Sequence, residues 1–325
     1  MLEAMHDLTL DRWQGLSDTD RVATAKKLLA QLPVGFSFGG VHARTLGAST
    51  HQVAEFGNGG VTFALVPGGP MTLGFDPERF RPNPEELESW RGSADEYGIE
   101  ASLTEHLASV TLRPRSVAFA PLLVETSAGE VAWEQLSPDD PAAAEVVREL
   151  RDSSSRRLQV HGGDGVVRAT SDENGAINVE RATRTNHEDL VSRLRRQGYR
   201  LLTSDEWELA CGAGAPTLFR WGDHAPCDRY PVDFSADPAK RWDLHTRPNA
   251  FGIQIASNPY HNEVVAEPGV TRGGDGGGTV CGGAGFFLGW LTLATAYFEE
   301  HACRYPPEEP LAPGYTVARR VLPVG

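Results

Sequence analysis

The softest ligands in the chain lie near its C-terminal end. Cys281 and Cys303 are thiols, and His301 stands two positions before Cys303, so on an extended strand the imidazole and the second thiol would share one face. A Cys281/His301/Cys303 cluster suits copper or zinc, because thiolate and imidazole are the donors those ions prefer. A competing pattern runs through the same segment. Trp290, Leu293, Ala294, Tyr297, Phe298 and His301 recur at helical spacing, which would part His301 from Cys303 and leave the cysteines as plain buried thiols.

Harder donors lie upstream. Asn258, Asn262 and Glu263 carry oxygen ligands of the kind Ca²⁺ takes. The Asn258-Pro259 step equally marks a turn, in which the same side chains would only shape the loop. His261 sits between them and is a further candidate, against the simpler reading of an exposed or hydrogen-bonded loop histidine. The glycine run from Gly273 to Gly285 is not a phosphate loop, since it lacks the Gly-Lys-Ser/Thr ending that positions phosphates and magnesium.

Several elements must position these groups. Ser17 to Pro33 reads as a capped amphipathic helix with Val22, Ala25, Leu28, Leu29 and Leu32 on one side. Residues 36–60 read as extended. Val61 to Leu73 reads as a strand pair about the Pro67-Gly-Gly turn, and 79–100 as a polar surface loop. Ala108 to Thr126 returns to strand patterning. Asp140 caps a helix from Pro141 to Arg151, 153–178 reads as an insertion rich in Ser, Gly and Asp, and Asn186 to Gln197 forms a helix that stops at Gly198. Thr203 and Glu206 make a capping box for another. Beyond Gly212 little regular structure is expected before Val317 to Val321.

Composition narrows the function classes. With 325 residues, 40% hydrophobic and 23% charged, the chain is of ordinary globular type, and 35 Gly with 22 Pro predict many turns. A net charge of -14 argues against a nucleic-acid partner, whose phosphates are bound by Lys and Arg; the basic run Arg193 to Arg200 reads as the solvated side of a helix. No apolar run has the length of a signal peptide or a membrane span. The expectation is a cytoplasmic protein with no membrane partner, its four cysteines reduced or metal-bound.

Three phrases in fixed order carry a family resemblance: Arg200-Leu-Leu-Thr-Ser-Asp-Glu-Trp-Glu-Leu-Ala210, Phe219-Arg-Trp-Gly-Asp223 and Pro248-Asn-Ala-Phe-Gly252. Phe63 to Gly74 precedes them, and Arg272-Gly-Gly274 and Gly314 to Arg319 follow. Over 61–325 the chain resembles the formylglycine-generating enzyme (sulfatase-modifying factor) family. That resemblance implies an α+β fold with a C-type-lectin-like core: few helices, short strands and long ordered loops, here behind an N-terminal helical extension at 1–60. It implies Trp207 and Trp221 in the core, with Glu208 and Asp223 supporting loops by hydrogen bonds. Family members often staple their loops with calcium; Asp228, Asp233, Asp237 and Asp243 lie at one such place, and Asn258 stands for the asparagine of another, although the family's two tryptophans there are missing.

The implied activity is that of an oxygen-using oxidoreductase acting on a thiol or a related small-molecule or peptide substrate. The family holds Cu(I) between two cysteines five positions apart, shortly after Arg-Gly-Gly. Here Cys281 follows Arg272-Gly-Gly, but Phe286 stands five positions on, so a partner would have to come from Cys303 through the fold. Loss of the pair fits an alternative, a non-catalytic ligand- or protein-binding scaffold on the same fold; a different activity on the same scaffold is a third course. The iron-dependent sulfoxide synthases of this group carry a His-x3-His-x-Glu motif that His6, His42 and His51 do not form.

Overall fold

The computed structural model describes residues 8–162, 165–233 and 242–324. Its architecture is α+β, with largely antiparallel sheets, none of which closes into a barrel among the described residues.

The central sheet has five strands in the order β1-β2-β3-β6-β15: Ser37–Leu46, Ser49–Asn58, Val61–Val66, Leu122–Glu125 and Val321–Pro323. Side chains alternate across it. Phe56, Phe63, Leu65 and Leu123 pack with Trp13, Ala25 and Leu28 of α1 (Leu10–Gly15) and α2 (Asp18–Leu29). Ala64, Val66, Leu122 and Val124 face Trp207, Phe251 and Ile253 on the other side. Both faces are therefore apolar, which explains the near-continuous hydrophobic run at 63–66. The capped helix at Ser17 is present, with the Ser17 side chain accepting from the Asp20 N–H. The helical part of the extension ends at Leu29, however, and β1 and β2 belong to the central sheet.

Three other readings change. β3 and β4 (Gly69–Leu73) do not pair with each other: β3 lies between β2 and β6, while β4 pairs with β5 (Arg115–Phe119). Gly68 lets the chain pass between them, since a Cβ there would come within 2.3 Å of the Phe119 carbonyl. The expected loop at 79–100 contains α3, Pro84–Tyr97. Its start is a capping box between Asn83 and Glu86 with Pro84 in the first turn, and Gly98 closes it at φ 63°. Proline there starts the helix instead of breaking it, and Trp90 docks it into a core with Phe219, Trp221, Phe287 and Trp290.

The third change is the insertion. Residues 157–182 form β9 (Arg157–Gly162), β10 (Gly165–Ser171) and β11 (Ile177–Ala182), which join β8 (Trp133–Leu136) in a four-stranded antiparallel sheet ordered β8-β11-β10-β9. α5 (Ala144–Asp152) covers it, with Val146, Val147 and Leu150 against Val167, Ala169 and Val179.

The remaining elements are α4 (Leu103–Val110), α6 (His187–Arg196), α7 (Ser204–Gly212), α8 (Gly278–Cys281) and α9 (Phe286–Leu291), with short strands β7 (Gly129–Glu130), β12 (Asn262–Val264), β13 (Thr271–Arg272) and β14 (Thr316–Ala318). α7 begins with the expected capping box: Thr203 and Glu206 each bond the other's backbone N–H. After Gly212 the described elements are short, as expected, the longest being the six residues of α9.

Candidate functional site

Long loops need internal anchors, because buried backbone and charged groups must find partners. Two anchors dominate here. Glu208 on α7 accepts from the Gly74 N–H, from Arg115 at 2.8 Å and from Arg272 at 3.4 Å, and Asp205 takes the other side of Arg115. Arg272 is wholly buried; it also donates to Ser204 Oγ at 3.0 Å and to the Thr295 carbonyl at 3.1 Å. Asp223 accepts from the Leu218 N–H at 2.9 Å, and Trp207 and Trp221 are both buried. Glu208 and Asp223 are thus loop supports.

The second anchor is the pair Glu263–Arg319. Both side chains are nearly inaccessible, at 4% and 1% exposure. Arg319 Nη2 donates to Glu263 Oε2 at 2.8 Å and Nε to Oε1, while the guanidinium also donates to the carbonyls of Glu125 at 2.9 Å and Gln254 at 3.2 Å. β12 and β14 run parallel here, with Glu263 opposite Val317, so the fork closes across adjacent strands.

Above this pair lies a cleft of about 230 Å3 lined by Ser127, Gln254, Ala256, Ser257, Asn258 and His261, among others, with Glu263 and Arg319 on its wall. Ala256 holds φ at 46°, a left-handed conformation that costs a side-chain-bearing residue on the order of 1 kcal/mol and tends to occur where geometry serves a site. Burial holds the His261 imidazole below its ordinary range, with Glu130 acting against this and Arg157 adding to it. His261 is therefore neutral at pH 7, able to donate from one ring nitrogen and accept at the other. A larger groove of about 520 Å3 borders β4 and the 214–217 loop, with Asp223 on its lining and none of the candidate metal ligands.

The structure gives the expected metal ligands other employment. Glu263 is an ion-pair partner with both oxygens engaged by Arg319, which leaves a cation no free carboxylate there. Asn258 shapes a turn, its Oδ1 accepting from the Tyr260 N–H at 3.0 Å. Asn262 opens β12, and its Oδ1 is buried with no hydrogen-bond partner among the described residues. Asp228 pairs with Arg229 and Asp243 with Arg247, and Asp233 accepts from the Tyr230 N–H; Asp237 lies outside the described residues.

The thiol cluster is not assembled. Cys281 is exposed at the end of α8, with its Sγ 3.1 Å from the Tyr260 hydroxyl. Cys303 is fully buried in the core with Trp90 and Trp290, and burial pushes its thiol up to about 11. His301 is exposed in a turn, on neither the strand nor the helix that its spacing offered. No three His, Cys, Asp or Glu side chains among the described residues come together as a metal-holding group.

Sequence reasoning missed Ser127, Gln254 and Ala256, which reach the cleft from two loops far apart in the chain and carry no spacing signal. Arg319 was within reach: it closes the Gly314 to Arg319 phrase, and an arginine pair set between apolar C-terminal segments calls for carboxylate partners. Fold and site together define an α+β protein with a small, polar, charge-balanced cleft. No protein-family model matches the chain, and no curated protein matches it.

Proposed function

We propose that the chain is a ligand-binding protein built on the formylglycine-generating-enzyme-like, C-type-lectin-like scaffold that its sequence phrases resemble, with the cleft beside Glu263 and Arg319 as its binding site. One observation carries this reading: the cleft brings Ser127, Asn258 and His261 together on a wall whose two charges cancel. Its volume of about 230 Å3 is below the usual range for drug-sized ligands, so the ligand is a small molecule. With the wall neutral and the imidazole uncharged, recognition rests on hydrogen bonds, and the ligand is a polar molecule that is uncharged or zwitterionic. Ligand-observed NMR against amino acids, small amides and monosaccharides tests this. Binders are expected to weaken by about two- to tenfold in Asn258→Ala and in His261→Ala, the worth of one lost hydrogen bond; the melting temperature is expected to hold in His261→Ala, while Asn258→Ala also loses the turn bond to the Tyr260 N–H. No binder displaced by either substitution would sink the reading.

The resemblance supports a second reading, a divergent copper-dependent oxidoreductase acting on a thiol. The favouring observation is that Cys281, the thiol after Arg272-Gly-Gly, is exposed and hydrogen-bonded to Tyr260. Cys281 would be the ligand to Cu(I), and the ion would supply oxygen activation; a second soft donor would have to come from the substrate. A competitive Cu(I) titration of reduced protein beside Cys281→Ala decides it: tight stoichiometric binding lost in the variant supports the oxidase, and no tight site in either protein removes it.

A further inference from the structure

β4 pairs on one side only, with β5. In an antiparallel pair, alternate residues turn both backbone groups toward the partner strand, and the residues between turn theirs away. Gly74 sets the phase. Its N–H goes to Glu208, whereas the next N–H, that of Phe75, turns back to the Leu112 carbonyl in the segment leading into β5. Counting back from Gly74, the outward residues are Thr72 and Pro70. Pro70 has no N–H to give, and an edge strand tolerates proline at such a place.

One step further back the same edge is already used. Gly68 donates to the Leu8 carbonyl at 2.9 Å and accepts from the Leu10 N–H at 3.0 Å, a parallel bridge. α1 starts at Leu10 and takes the N-terminal segment off the edge. The Thr72 N–H, the Thr72 C=O and the Pro70 C=O are left facing outward, with no partner for them among the described residues.

The groove of about 520 Å3 follows this open stretch. Residues 70–72 and 74–76 form one wall and Gly214 to Thr217 the other, and no residue of β5 lines it, so it runs along the outer edge and not over the face of the pair. Its volume is that of a ligand site. Gly214 and Ala215 have side chains too small to fill it, and Asp76 and Asp223 outnumber Arg79 on its walls.

We propose that this groove binds an extended peptide, which adds a strand to β4 through main-chain hydrogen bonds to Pro70 and Thr72. The open groups are those of an unfinished β ladder, and another extended backbone is what completes one. The excess carboxylate on the walls favours a peptide with a basic side chain. The groove shares no lining residue with the cleft beside Glu263 and Arg319, so the two sites bind independently.

The test is selection of a random octapeptide library, displayed on phage, against the full chain, followed by calorimetry with the recovered peptides. These are expected to be rich in Lys or Arg. N-methylation at every second peptide position is expected to weaken binding by about two- to tenfold, the worth of a lost main-chain hydrogen bond, and at the positions between to leave it unchanged. Ala215→Trp, which fills the groove, is expected to abolish binding, and Asn258→Ala to leave it intact. An N-methyl scan without alternation overturns the proposal, and it is made on the unaltered chain, so it needs no variant to fold. Failure to recover any peptide overturns it as well, as do peptides that bind Ala215→Trp like the parent. A dimer of the chain that Ala215→Trp dissolves would give the edge to a second copy and overturn the peptide assignment.

Discussion

The two principal sheets differ in how the chain supplies them. The sheet β8-β11-β10-β9 takes all its strands from one stretch, 133–182, and its core partner α5 from within it. The five-stranded sheet draws on 37–66, on 122–125 and on 321–323, and buries both faces against elements from residue 8 to 270. A local sheet can form and fail by itself; a dispersed one needs both ends of the chain and pays its loop-closure entropy before any reward arrives. The cleft and the Glu263–Arg319 anchor sit on a third sheet, β13-β12-β14-β7, whose strands are dispersed in the same way, so these parts should respond to single changes as a unit.

The largest way to break that contrast is to remove residues 316–325, which takes away β14, β15 and Arg319 together. Cooperative unfolding in a thermal melt is expected to vanish. Next, Arg319→Met leaves Glu263 buried and unpaired, and about 3–5 kcal/mol of stability is expected to go; restoring much of it with Glu263→Gln in the same chain would show that the loss was the orphaned charge, measured in urea. Leu150→Ala, in the local core, is expected to cost about 2–5 kcal/mol, but in hydrogen exchange the amides of β9 to β11 should lose protection while those of β2 and β3 keep theirs. Equal loss in both sheets would erase the distinction.

A pH series sharpens it further. His245 is lowered to about 4 in the folded protein, against an ordinary value of about 6.5. The folded state therefore binds fewer protons than the unfolded one. Stability is full above about 6.5 and falls as pH drops toward 4, by on the order of 3 kcal/mol. His245→Phe should flatten that slope in acid denaturation, and β2 and β3 should follow it more closely than β10. The smallest effect is Cys281→Ser, less than about 0.5 kcal/mol for an exposed side chain; maleimide should label Cys281 in native protein and reach Cys211 and Cys303 only after unfolding.

Legibility followed the range of the signal. The caps at Ser17, Asp140 and Thr203 were readable because three or four residues contain the whole device. α3 was equally local, but the prolines at 82 and 84 were weighed as breakers when Asn83-Pro84-Glu85-Glu86 is a start. The insertion hid its strands because Ser, Gly and Asp fill its turns. The thiol cluster was drawn from spacing between two residues, and spacing says nothing of which core a side chain enters: Cys303 packs beside Trp290 while Cys281 stays at the surface.

By itself the sequence determined the helix caps and the acidic balance, because each rests on neighbours in the chain or on composition, while the α+β class and the buried Trp207, Trp221 and Glu208 are expectations drawn from a resemblance of phrases. Only the tertiary structure decided that Glu263 belongs to Arg319 and that Ser127, Asn258 and His261 share a cleft. Those are pairings of groups 56 to 134 positions apart, Glu263 with Arg319 and Ser127 with His261. They are fixed by where buried charge can find its complement, a condition met only once the whole core has closed.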